Sequence, residues 1–155
     1  MIPQEYPNRI LIVDDEESIL FAVRQYFNAL GYDVDCVRNS MDAKALLRTA
    51  RCALVIADLS LTGSHGAEGL DVILYVRQRC PGTRVILMTA YASPEIEQEA
   101  QARGVDVILN KPVPLSDLAR AVRGLLGSTP LAPPDPRAAN QVTGLLVSSA
   151  RSASP

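Results

Sequence analysis

Ile10-Leu-Ile-Val-Asp-Asp15 sets four consecutive apolar side chains against two adjacent carboxylates, and variants of that pattern return along the chain. Leu54-Val-Ile-Ala57 runs into Asp58, Val85-Ile-Leu-Met88 into Thr89, and Val107-Ile-Leu109 into Asn110-Lys111-Pro112. Short, continuous apolar runs rich in branched side chains mark strands buried on both faces of a parallel sheet. Strands are expected at 9–14, 33–37, 53–58, 84–89 and 106–110. Between them apolar residues recur at helical spacing: Ile19, Leu20, Val23, Phe27 and Leu30; then Ala43, Leu46, Leu47 and Ala50; then Leu70, Ile73 and Leu74. A fourth helix, from about Pro94 to Arg103, offers a core little beyond Ile96 and some alanines, which lowers the cost of displacing it. A fifth carries the stripe Leu115, Leu118, Ala119, Val122, Leu125 and Leu126, with Ser116 near its start as a candidate cap. Gly31, Pro81-Gly82, Gly104 and Gly127 punctuate the helix ends. Strands alternating with helices predict an α/β chain with a parallel sheet covered on both faces.

In such a sheet ligands bind outside the carboxyl ends of the strands. Asp14, Asp15, Asp58, Thr89 and Lys111 all fall on that edge, so residues far apart in sequence are expected to meet there. Crowded carboxylates repel, and a hard divalent cation with oxygen ligands relieves them. Mg²⁺ is the expected cofactor, held by Asp14, Asp15 and Asp58 together with the backbone carbonyl of Ser60. Asp58 is then the nucleophile that attacks phosphorus to give an acyl phosphate. Lys111 neutralises charge, and the Thr89 hydroxyl donates to a phosphoryl oxygen. Lys111-Pro112 is a candidate cis bond, since X-Pro bonds adopt that form most cheaply.

Each fragment alone has a plainer reading. Asp14-Asp15-Glu16-Glu17 suits a helix N-terminus, Asp58 a turn, Thr89 a strand and Lys111 a loop. Their joint placement on one edge selects the phosphoryl site.

The 155 residues, 48% apolar, suffice for one sizeable core, expected over residues 1–127. After Gly127 the composition turns to Pro, Ala and Ser, so 128–155 reads as a flexible tail, with Gly144-Leu-Leu-Val147 as its apolar cluster. A formal net charge of −2 without a basic patch argues against direct nucleic-acid binding. No run reaches the roughly 18 apolar residues of a membrane span, and no signal peptide opens the chain, so a cytoplasmic location is expected. Cys36, Cys52 and Cys80 match neither a disulfide framework nor a zinc site; Cys52 and Cys80, at element ends, are expected to be the more exposed. His65 lacks ligand partners and reads as a surface residue, and Gly63, Gly66 and Gly69 lack Walker or Rossmann spacing.

Asp14-Asp15, Asp58, Thr89-Ala90 and Lys111-Pro112, in that order over about residues 8–127, resemble the receiver domain of two-component response regulators. The resemblance implies a flavodoxin-like, doubly wound fold with five parallel strands in order 2-1-3-4-5 and five helices. It also implies phosphoryl transfer to Asp58 from a sensor histidine kinase or a phosphotransfer protein, slow loss of that group to water, and tuning of the loss by Ser60 and Tyr91. Receivers are switches, with at most self-phosphorylation and self-dephosphorylation. Output is expected through the domain's own surface or the tail, to an effector that the sequence does not identify.

Two features depart from the family pattern. Ile108 stands where an aromatic ring is usual three residues before the lysine, which makes Tyr91 the candidate substitute for the readout. The loop from Leu59 to Gly69 is about three residues longer than usual. The missing ring keeps a phosphorylation-independent interaction module as the alternative. A Mg²⁺-dependent phosphatase with an aspartyl-phosphate intermediate fits less well, because its nucleophile would follow the first strand.

Overall fold

The computed structural model describes residues 8–59 and 67–127. Ten elements alternate: β1 (Arg9–Val13), α1 (Glu17–Ala29), β2 (Asp33–Val37), α2 (Ser40–Thr49), β3 (Leu54–Asp58), α3 (Ala67–Arg79), β4 (Arg84–Thr89), α4 (Pro94–Ala102), β5 (Val107–Asn110) and α5 (Leu115–Leu126). The five strands form one parallel sheet in the order β2-β1-β3-β4-β5, the expected arrangement. β1 lies between β2 and β3, so the chain leaves β1 in both directions and a crevice opens at its carboxyl end.

The apolar runs divide between two cores by simple alternation. Ile10, Ile12, Leu54, Ile56, Ile86 and Met88 pack under α1 and α5. Leu11, Val13, Val55, Ala57, Val85 and Leu87 face α2, α3 and α4. Each fully buried aliphatic side chain contributes about 1.5–3 kcal/mol, so the central strands carry much of the stability. Their rigidity also fixes the edge to which the site residues are attached.

Local chemistry explains the helix boundaries. The Asn39 side chain accepts from the Asp42 N–H at the start of α2, and Ser93 caps α4 by accepting from the Ile96 N–H, with Pro94 in the first turn. Gly31 follows α1 with φ of 91°, a left-handed conformation that favours glycine.

Three expectations need correction. Ser116 does not cap α5: Pro114 takes that position and Ser116 lies exposed inside the first turn. Leu74 is 40% exposed, whereas Val72 and Val76 join Ile73 in the core, because the buried stripe of α3 runs one step out of phase with the expected one. Cys52 is buried, not exposed; its carbonyl accepts from the buried Thr83 hydroxyl at 2.7 Å, which draws this strand end under the sheet. Burial pushes the Cys52 thiol up to about 12, so it is unreactive near neutral pH.

α4 is as sparsely packed as its sequence suggests, with Ala100 buried and Ile96 half-buried. Among the described residues no helix is long and apolar enough to cross a membrane. The expected tail at 128–155, Ser60, His65, Gly63 and Gly66 lie outside the described residues.

Candidate functional site

The carboxyl edge of the sheet gathers the expected side chains because parallel strands end together. Asp14 directly follows β1, and its N–H donates to the Val37 carbonyl at the end of β2. The side chain is fully buried. Its Oδ1 accepts from the Glu16 N–H at 2.9 Å, a local turn; no side-chain bond caps α1. The capping reading of the acidic run therefore does not account for Asp14.

Asp58 closes β3 and is 3% exposed. Lys111, just past β5, reaches across the edge so that its Nζ lies 3.1 Å from Asp58 Oδ2 and 3.4 Å from Asp14 Oδ2. The Lys111-Pro112 peptide is cis, as anticipated. One oxygen from each of Asp14, Asp15 and Asp58 falls within 4.8 Å of the others. Asp15 is half-buried at the mouth of this group.

The electrostatics are unbalanced. Burial above all pushes the Asp14 carboxyl up, with Asp58 adding to the rise and Lys111 opposing it, to about 7. Burial works to lower Lys111, but the flanking Asp14 and Asp58 outweigh it and the ammonium is held above its ordinary value. Three carboxylates clustered within reach of one another, two of them buried, suit a further cation beside Lys111. The donor set fits Mg²⁺, a hard ion that takes carboxylate oxygens and keeps some of its waters.

Thr89 ends β4 and is 1% exposed. Its hydroxyl oxygen accepts from the Tyr91 N–H at 3.2 Å, and its carbonyl accepts from the Lys111 N–H at 2.8 Å. Its neighbour Tyr91 is 70% exposed. Ile108 sits half-buried in the cluster that contains Leu87, Ile96 and Ala100, beneath α4. The aliphatic residue is therefore part of the packing that seats this helix.

Sequence reasoning missed one neighbour. The Arg38 guanidinium, just past β2, donates to the Asp15 carbonyl and to Glu17 Oε1, each at 3.1 Å, tying down the loop that carries the acidic pair. The strand order supplies the signal for it: once β2 lies beside β1, residues past Val37 must stand next to those past Val13. Gly69 in α3 lies directly against the backbone of Asp58 and Leu59.

Comparison with known proteins agrees with this geometry. A model of the response regulator receiver domain matches residues 10–123. Sporulation initiation phosphotransferase F of Bacillus subtilis is 30% identical over 118 residues, which cover 76% of this chain and 93% of that protein. Response regulator protein PilR of Pseudomonas aeruginosa is 33% identical over 114 residues, 74% of this chain but 25% of that longer protein. Among solved structures, a CheY-like response regulator receiver domain from Methanospirillum hungatei superimposes with a TM-score of 0.72 at 29% identity, covering 77% of this chain and 93% of that one.

Proposed function

This chain belongs to the response regulator receiver domains and serves phosphorelay signalling; from that premise we propose that Asp58 is its phosphoacceptor and that Asp14, Asp15 and Asp58 hold Mg²⁺. The carrying observation is the Lys111 ammonium set between two buried carboxylates, 3.1 Å from Asp58 and 3.4 Å from Asp14. That arrangement holds a cation against the Asp58 carboxylate at the crevice, and phosphoryl transfer asks chiefly for such positioning and for neutralised charge.

A carboxylate oxygen of Asp58 forms the new bond to phosphorus. The bond broken joins phosphorus to the imidazole nitrogen of a donor phosphohistidine, which keeps the electron pair and takes up a proton. Bound Mg²⁺ would supply Lewis-acid stabilisation of the phosphoryl oxygens. Lys111 balances the negative charge that accumulates beside Asp58. Thr89 turns its hydroxyl toward the new group and donates a hydrogen bond, giving up the one it accepts from the Tyr91 N–H. The donor is a sensor histidine kinase or a phosphotransfer protein, and the modified state binds an effector differently from the unmodified one. With Ile108 packed beneath α4, the exposed Tyr91 is the ring available to report the change in Thr89. Tyr91, exposed beside Thr89, tunes how fast water removes the phosphoryl group.

Incubation with Mg²⁺ and acetyl phosphate, followed by intact-protein and peptide mass analysis, tests the acceptor. One added phosphoryl group on Asp58, absent in Asp58→Asn, is expected. An unmodified wild-type chain would transfer the assignment to a module that works without phosphorylation.

A further inference from the structure

We propose that Gly69 is a positioning residue for the acceptor: the absence of its side chain lets α3 press against the Asp58–Leu59 peptide and so sets the distance from the Asp58 carboxylate to Lys111. The inference deepens the phosphoacceptor reading and rests on it for its chemical consequence.

A Cβ added at Gly69 would lie 2.7 Å from the Asp58 carbonyl oxygen, 2.9 Å from Leu59 Cα and 3.2 Å from the Leu59 carbonyl oxygen. All three are backbone atoms, so no side-chain rotation relieves the contact. The opposite side of the same stretch is occupied too. The Leu59 N–H donates to the Met88 carbonyl at 2.9 Å, and Asp58 is in register with Met88 on β4. The Leu59 side chain is 5% exposed. The acceptor's backbone is thus held between a helix and a strand, and a push from α3 must tilt Asp58 or disturb its pairing with β4. Either movement changes the separation between Oδ2 and the Lys111 Nζ, now 3.1 Å.

Other glycines provide the controls. At Gly104, in the left-handed region at φ +89°, a Cβ would meet the flexible Arg77 side chain, with Cδ at 2.9 Å, beyond the far end of the sheet. Gly124 in α5 has nothing within 4 Å of such a Cβ.

The test compares full-length wild type, Gly69→Ala and Gly104→Ala, each incubated with Mg²⁺ and acetyl phosphate while the intact mass is followed in time. A crystal structure of metal-free Gly69→Ala gives a second readout. Gly69→Ala is expected to acquire the phosphoryl mass at least about tenfold more slowly than wild type, since small misplacements of reacting groups carry large rate penalties. Gly104→Ala, though destabilised, is expected to react at the wild-type rate. The crystal structure is expected to show the Asp58–Lys111 separation changed from 3.1 Å.

A wild-type rate in Gly69→Ala, an unchanged separation, or an equal slowing in Gly104→Ala overturns the proposal. If Gly69→Ala does not fold, the same measurements are made on Gly69→Ala/Gly124→Ala, which adds helix propensity at an unobstructed position. Should wild type itself acquire no mass, the phosphoacceptor reading fails, while the crystallographic separation still decides whether Gly69 positions Asp58.

Discussion

At the N-terminal edge of the sheet, Arg77 reaches from α3 to the Pro81 carbonyl at 3.0 Å, the Thr83 carbonyl at 2.7 Å and Asp106 at 3.2 Å. Asp106 in turn accepts from the Val85 N–H at 2.7 Å and from Arg84 at 3.2 Å. At the opposite edge Asp14, Asp15 and Asp58 cluster, with the Lys111 ammonium against Asp14 and Asp58. Both edges remove charge from water, but at the first two guanidinium groups share the single Asp106 carboxylate, whereas at the second carboxylates cluster with Lys111 set against two of them. Bonds that link several elements hold them together, whereas clustered charge of one sign costs stability and persists where a ligand offsets it. The contrast separates a structural clasp from a reactive site without reference to any relative.

The comparison breaks most visibly at Lys111. Lys111→Ala leaves Asp14 and Asp58 facing each other with no cation, so acetyl phosphate labelling should slow by about a hundredfold. Metal-free stability at pH 8, read from urea unfolding, should fall by about 3 kcal/mol. A smaller rate effect with the same stability loss would make Lys111 a structural cation like Arg77.

The acidic edge should also respond to pH. The Asp14 carboxyl stands at about 7 in the folded chain, above its ordinary 3.8. Between those values the folded protein keeps a proton that the unfolded chain has released. The stabilising contribution is therefore complete below about pH 4 and is lost as pH rises through about 7, a change of roughly 2–4 kcal/mol. Urea unfolding of metal-free protein at pH 5 and pH 8 should show this decline. Asp14→Asn should flatten it, and added Mg²⁺ should narrow the gap by favouring the ionised carboxylates.

Arg77→Ala sharpens the other half of the contrast. Losing hydrogen bonds to two carbonyls and Asp106 should cost about 2 kcal/mol while leaving the labelling rate of Asp58 at the wild-type value. The smallest effect belongs to Gly124→Ala, at an unobstructed position of α5. A gain of about 0.5–1 kcal/mol in thermal unfolding is expected, with phosphorylation unchanged.

Much of this site could be read in the sequence because each candidate residue sits at the end of an apolar run. Ile10 to Val13 and Leu54 to Ala57 announce strands whose carboxyl ends must share an edge once the sheet is parallel, and that brings Asp14 and Asp58 onto it. The third helix was harder. Leu70, Ile73 and Leu74 and the set Val72, Ile73 and Val76 are both consistent with helical periodicity, and only the angle at which α3 meets the sheet buries the second set. The burial of Cys52 is hidden from the sequence for a related reason. A position just outside a strand looks exposed in sequence, but the Thr83 hydroxyl bonds its carbonyl beneath the sheet.

By itself, then, the order of apolar runs, carboxylates, threonine and lysine determined a parallel α/β sheet with an acidic edge that also carries a threonine and a lysine, because strand and helix periods and side-chain charge are local properties. Tertiary structure alone decided that Lys111 stands between Asp14 and Asp58, that Arg38 ties down the acidic loop, and that Gly69 abuts the Asp58 backbone. Those contacts depend on strand order, register and how closely a helix may approach a peptide, and such distances between remote parts of the chain are written in no single stretch of residues.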